Sequence, residues 1–218
     1  MYVGPDIVTD GLVFAVDAGS ERSYAGSGTT AYNLVANNDV SLINGLGWQS
    51  GNGGYFSSDG TDDSMTTPDA ANLDLVDFTL EGWVWWDQHK NYGSFLVKGP
   101  GGSGQLFNYS FFGYATSVSV GFGDGSNYRS ISISTPALNE WHHIVGTYDG
   151  STLKFYLNST LANSSSITAT PNQNNDALQI LQTNYSIDGR IGCAKVYNKA
   201  LTAAEVLQNY NAQKNRFI

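Results

Sequence analysis

Trp141-His142-His143-Ile144-Val145-Gly146-Thr147-Tyr148-Asp149-Gly150-Ser151-Thr152-Leu153-Lys154-Phe155-Tyr156-Leu157-Asn158 is the stretch on which the fold turns. Two runs rich in β-branched and aromatic residues, 141–148 and 152–158, flank Asp149-Gly150. An Asp-Gly pair between such runs is a strong hairpin signal, because both residues tolerate the positive φ of a tight turn. Successive side chains of a strand point to opposite faces, so His142 and His143 cannot both ligate one metal ion, and His89 sits in a different segment. The two histidines are expected to pack within the hairpin.

The same punctuation continues outward in both directions. Strand-type runs fall at 12–17, 55–58, 78–86, 94–98, 105–112, 117–122, 129–134, 177–181 and 190–197, separated by turn-forming stretches at 50–54, 59–62, 99–102 and 123–126. In Trp83-Val84-Trp85-Trp86, alternation puts Trp83 and Trp85 on one face and Val84 and Trp86 on the other. A strand apolar on both faces is expected at the centre of a sheet. One helix is indicated near the end, where Thr202 and Glu205 have capping-box spacing and Val206, Leu207 and Tyr210 form a narrow apolar stripe before the polar residues 211–216. It is expected to close the domain. The 25 glycines are spread over many turns instead of gathered into a linker, so the expectation is one domain over 1–218: an all-β sandwich of two antiparallel sheets with one short C-terminal helix.

Composition narrows the function. Charged residues make up 13% of the 218, about half the usual share, and the net charge is −9. A negative chain without a basic patch lacks the Lys and Arg that release counterions from phosphate backbones, so no nucleic-acid partner is expected. The single cysteine, Cys193, rules out an internal disulfide framework and reads as a small buried hydrophobe. The opening residues show no basic, apolar and cleavage regions in series, and no run approaches the length of a membrane span. The expectation is synthesis in a cytoplasm, with no membrane partner. Four Asn-x-Ser/Thr sequons, at Asn108, Asn158, Asn163 and Asn184, follow from an Asn- and Ser-rich composition and carry little weight.

The 141–158 hairpin resembles the Trp-His-His to Tyr-Asp-Gly-Ser hairpin of the laminin-G-like, concanavalin A-like lectin superfamily. Three other segments resemble the family in the expected order: the turn Phe56-Ser57-Ser58-Asp59-Gly60-Thr61-Asp62-Asp63, the strand Phe78-Thr79-Leu80-Glu81-Gly82-Trp83-Val84, and the closing element 192–206. The fold so implied is a concanavalin A-like jelly-roll sandwich. Residues 11–34 resemble the opening of laminin-G-like structural proteins of tailed, notably marine, bacteriophages, with Ala31 and Asn33 in place of that pattern's Trp and Asp. That resemblance implies a non-enzymatic virion structural protein, made in the host cytoplasm. It would be an outer capsid decoration or appendage, with other virion proteins as partners. The rival expectation is a carbohydrate-binding module for cell-surface glycan, with calcium as a candidate ligand.

Glycoside hydrolysis needs two carboxyl groups facing one bond, about 5 Å apart or somewhat more. Glu81 and Asp87 share parity but lie six residues apart, roughly 20 Å along a strand. Glu81 is therefore expected to be an isolated, partly buried carboxylate, and no catalytic residue is assigned. For calcium the candidates are Asp59, Asp62 and Asp63, clustered in one turn of a first half (1–109) that holds 13 acids against 3 bases. Their competing role is to cap that turn. No cofactor is required by any feature of the sequence. For a glycan or a protein interface the candidates are Tyr92, Tyr109, Tyr114 and Tyr128, all near Gly-rich turns and so expected to be exposed.

Overall fold

The structure, a computed structural model, describes residues 5–102 and 104–218; residues 1–4 of the opening stretch and Ser103 of the Gly-rich loop lie outside the described residues. Its strands are β1 (Leu12–Asp17), β2 (Thr30–Ala31), β3 (Val40–Ile43), β4 (Gly47–Gln49), β5 (Tyr55–Asp59), β6 (Ser64–Thr67), β7 (Phe78–Gln88), β8 (Gly93–Lys98), β9 (Tyr109–Gly113), β10 (Ser117–Gly123), β11 (Tyr128–Ser134), β12 (Trp141–Tyr148), β13 (Thr152–Leu157), β14 (Thr160–Ser166), β15 (Leu178–Leu181) and β16 (Asp188–Tyr197), followed by the helix α1 (Ala203–Phe217). Two antiparallel eight-stranded sheets result. Sheet A has the order β14-β13-β12-β7-β16-β5-β4, with β1 also paired to β16, and sheet B the order β11-β10-β9-β8-β15-β6-β3-β2.

The 141–158 hairpin forms as its sequence dictates. Ile144 pairs with Leu157 and Tyr148 with Leu153. Gly150 takes φ +81° in the turn, and Asp149 Oδ1 accepts hydrogen bonds from the Ser151 and Thr152 N–H groups at 3.0 and 2.8 Å. Strand β7 lies between β12 and β16 and divides its aromatic residues as alternation requires. Val84 and Trp86 join Leu96, Phe111, Val120 and Phe122 of sheet B in the core between the sheets, whereas Trp83 and Trp85 face the other way. His142 and His143 are both buried on opposite faces of β12; His142 Nε2 lies 2.9 Å from the Ala137 carbonyl, and the His143 ring packs against Trp83.

The outer faces of the two sheets differ. α1 lies over sheet A, burying Val206, Asn209, Ala212 and Phe217, and the Phe217 ring stacks on Trp83 at 4.6 Å. Thr202 and Glu205 form the expected capping box. The expected stripe changes in detail: Leu207 is exposed, Tyr210 is half-buried against Trp83, and the polar Asn209 takes the central buried position. The helix also includes the polar residues 211–216 and ends with Arg216 paired to Asp17.

Five strands, β2, β3, β4, β6 and β14, add to those expected from sequence, and one expected run is shortened. Gly104–Leu106 is a turn of 3-10 helix, so the strand placed at 105–112 starts at Tyr109. The added strands are short, or polar in the case of β14, whose Thr-Leu-Ala-Asn-Ser-Ser-Ser sequence edges sheet A with little burial. None of the described helices is long and apolar enough to cross a membrane.

Candidate functional site

The outer face of sheet B carries an aromatic groove with a cavity volume of about 370 Å³, within the range of roughly 300–1,000 Å³ common for ligand clefts. Strand parity builds its floor. In β9, Tyr109 and Phe111 point into the core while Phe112 points outward, where it packs with Val97 of β8 and with Phe107. Tyr114, Tyr128, Tyr92 and Tyr185 add rings along the walls. They form two groups, with Tyr92 edge-on to Tyr114 at 5.5 Å and to Tyr185 at 6.4 Å, and Phe107 tilted against Phe112 at 5.4 Å and edge-on to Tyr128 at 6.4 Å. Gly104 makes room beside Tyr128, since a Cβ there would press on the ring.

Tyr92 is 56% exposed and has φ 64°, a backbone region that bulky residues rarely adopt and that tends to mark functional positions. Its loop is held to the Tyr114 turn by a hydrogen bond from the Ala115 N–H to Asn91 Oδ1. The Tyr128 hydroxyl is bonded to Ser110 Oγ at 2.8 Å, so this residue offers the groove its ring. Burial raises the Tyr128 phenol, against that bond; burial and the nearby Tyr92 raise Tyr114. These two phenols stay uncharged at neutral pH.

Three of the four tyrosines named from sequence thus line one groove. Tyr109 does not: it is fully buried between the sheets, because its position in β9 has core parity. Burial, with the Asp74 and Asp69 carboxylates, pushes its phenol well above the usual range. Tyr185, Phe107, Phe112 and Gln182 also line the groove and are missed by a reading based on Gly-rich turns. Counting parity from Phe111 would have found Phe112, whereas Tyr185 and Gln182 arrive from the segment after β15 without a local signal.

The three aspartates do not converge. Asp59 Oδ1 accepts from the Thr61 N–H at 2.7 Å, Asp63 Oδ2 accepts from the Asp59 N–H at 3.0 Å, and the Asp62 carbonyl accepts from Asn44 Nδ2 at 2.9 Å. Burial raises the Asp63 carboxyl, helped by the charges of Asp59 and Asp62 and opposed by the Asp59 amide. Among the described residues, no three His, Cys, Asp or Glu side chains are placed to share a metal ion. A different oxygen cage is occupied by a side chain. Lys98 is fully buried, with Nζ 2.8 Å from Asp69 Oδ1, 2.9 Å from Asp74 Oδ1, 2.8 Å from the Asn174 carbonyl and 3.1 Å from the Asp176 carbonyl.

Glu81 corrects the reading of an isolated, partly buried carboxylate. It is fully buried beneath α1, with Oε1 2.7 Å from Lys195 Nζ and 3.2 Å from His143 Nε2, and Oε2 accepting from Asn209 Nδ2 at 2.6 Å. Asp87, at the far end of β7, accepts instead from Trp85 Nε1 and Arg190. Glu81 is closed off from solvent by α1, so this arrangement anchors a helix and offers no paired carboxylates to a substrate. Cys193 is buried, as expected, with its thiol raised chiefly by burial.

The family model described as the concanavalin A-like lectin/glucanases superfamily matches residues 59–207. The chain belongs to this superfamily. Solved structures of similar fold include binding domains. The receptor binding domain of botulinum neurotoxin C/D mosaic serotype aligns with a TM-score of 0.74 and 13% identity over 94% of this chain and 52% of its own. The binding domain of Paraclostridial Mosquitocidal Protein 1 gives 0.69 and 17% over 93% and 52%. Domain 4 of an extracellular arabinanase from Geobacillus stearothermophilus, solved with arabinotriose, gives 0.69 and 13% over 91% and 98%. The chain therefore spans about half the length of these toxin binding domains and nearly all of the arabinanase domain. At such identities the likeness establishes the fold alone. No curated protein matches the chain.

Proposed function

We propose that this chain is a non-catalytic binding module that holds glycan in the aromatic groove of sheet B. The observation that carries the reading is the contrast between the outer faces: α1 covers that of sheet A, whereas the aromatic groove on sheet B remains open. Sugars bind proteins by stacking their C–H faces on aromatic rings, and a groove with two groups of rings offers several such faces. The fold likeness to an arabinanase domain solved with arabinotriose, and to toxin binding domains, supports binding over hydrolysis.

Tyr92 and Tyr185, 56% and 42% exposed, can be removed without opening the core. Titration of immobilised oligosaccharides with the wild type and with Tyr92→Ala/Tyr185→Ala should show saturable binding that weakens about tenfold or more in the variant. Equal binding by both proteins would remove the groove from the function.

The setting we propose is the outside of a tailed-bacteriophage particle, supported by the resemblance of residues 11–34 to the opening of such structural proteins. On that surface the module would give the particle a hold on cell-surface glycan while its other faces met virion proteins. Labelling purified particles with an antibody to this chain tests the setting separately from the ligand.

A further inference from the structure

Gln182 stands out among the groove residues. Both of its backbone groups are fixed, the N–H donating to Ser94 Oγ at 3.0 Å and the carbonyl accepting from the Tyr185 N–H at 2.9 Å. The residue is only 6% exposed and lines the groove, yet its carboxamide makes no hydrogen bond with any described residue. The carboxamide thus keeps its donors and acceptor for whatever fills the groove. One carboxamide offers an acceptor and two donors in a single plane. Two hydroxyls on adjacent sugar carbons complement it, one accepting from the NH₂ and the other donating to the C=O.

The groove's charge points the same way. No Lys, Arg, His, Asp or Glu is among its described lining residues. The nearby cation Arg129, next to Tyr128 in sequence, is already paired with Asp124 at 2.7 Å. A sialic or uronic acid carboxylate in this groove would lose its water without gaining a counter-ion, a large penalty. The net charge of −9 adds long-range repulsion.

We infer that the groove selects uncharged glycan presenting two adjacent hydroxyls, with Gln182 as the specificity-determining residue; this rests on the groove being a glycan site. The test is calorimetric titration of the full chain with neutral trisaccharides of glucose, galactose, mannose and arabinose, beside trigalacturonate and sialyllactose. Binding should be confined to the neutral set. For the best of them, Gln182→Ala and Gln182→Leu should each weaken binding about tenfold, the Leu variant keeping the side-chain volume and both keeping the wild-type unfolding midpoint. Comparable binding of the acidic sugars, or full affinity in both Gln182 variants, overturns the inference while leaving the glycan reading intact. A folded wild type that binds no saccharide overturns both.

Discussion

Glu81 shows what a single side chain can do in a sheet that is buried on both faces. Burial by itself raises its carboxyl, but Lys195 and His143 overcome that effect and hold it down at about 2. A carboxyl lowered on folding contributes stability that is present above its unfolded value near 4.5 and is lost as the pH falls toward about 2. His143 acts in the same direction: burial lowers it despite Glu81, so the folded state resists a proton that the unfolded chain accepts below about 6.5. Urea midpoints should therefore fall as the pH drops from 7 to 3, and the slope should flatten in Glu81→Gln. Glu81→Ala leaves Lys195 buried without its partner and should destabilise by about 3–5 kcal/mol, measured by denaturant unfolding. Residue-level reading of the sequence succeeded where parity alone decides, as for Trp83 and Val84. It failed at Glu81, whose partner Lys195 lies 114 residues away, and at Tyr109, where closeness to a Gly-rich loop was given more weight than strand parity.

At the level of elements, the capping box of α1 was legible because it is local, two residues three positions apart in one turn. Thr202→Ala should cost about 1 kcal/mol in thermal or urea unfolding. Phe217→Ala removes a ring packed between Trp83 and Trp141 and should cost about 3–5 kcal/mol. The strands missed from sequence have no comparable signal: β2 is two residues long, and β14 is polar because one of its sides is a sheet edge. Lys98 ties β8 to the loops before β7 and β15 through Asp69, Asp74, Asn174 and Asp176. Its ammonium supplies, from the chain itself, the positive charge that a divalent ion would bring to such oxygens. A chelator should accordingly leave the melting temperature unchanged. Lys98→Met, which leaves two carboxylates facing each other, should lower stability by about 3–5 kcal/mol, and added calcium should restore part of it in that variant alone. A fall in the wild-type melting temperature on chelation would overturn this assignment.

For the whole molecule, low charge and frequent turns led to the right architecture, since a sandwich needs short alternating strands and little else that is specific. Neither composition nor hydropathy could tell which outer face would be covered. That depends on where α1 packs once the sheets exist, and the open face of sheet B acquires its groove from segments as far apart as Tyr92 and Tyr185. The strand order has a further consequence, this time for synthesis. β16 pairs with β7 along one edge and with β5 and β1 along the other, so sheet A stays in three pieces, β14-β13-β12-β7, β5-β4 and β1, until residues 188–197 exist. A ribosome that has translated only as far as Ile187 holds a chain whose separate pieces of sheet A have bare edges, exposed to neighbouring nascent chains. Chains stalled with β16 still inside the exit tunnel should be cut readily by protease, and those released past it should resist. Arrest-length proteolysis during translation would show whether protection begins with the emergence of this one strand.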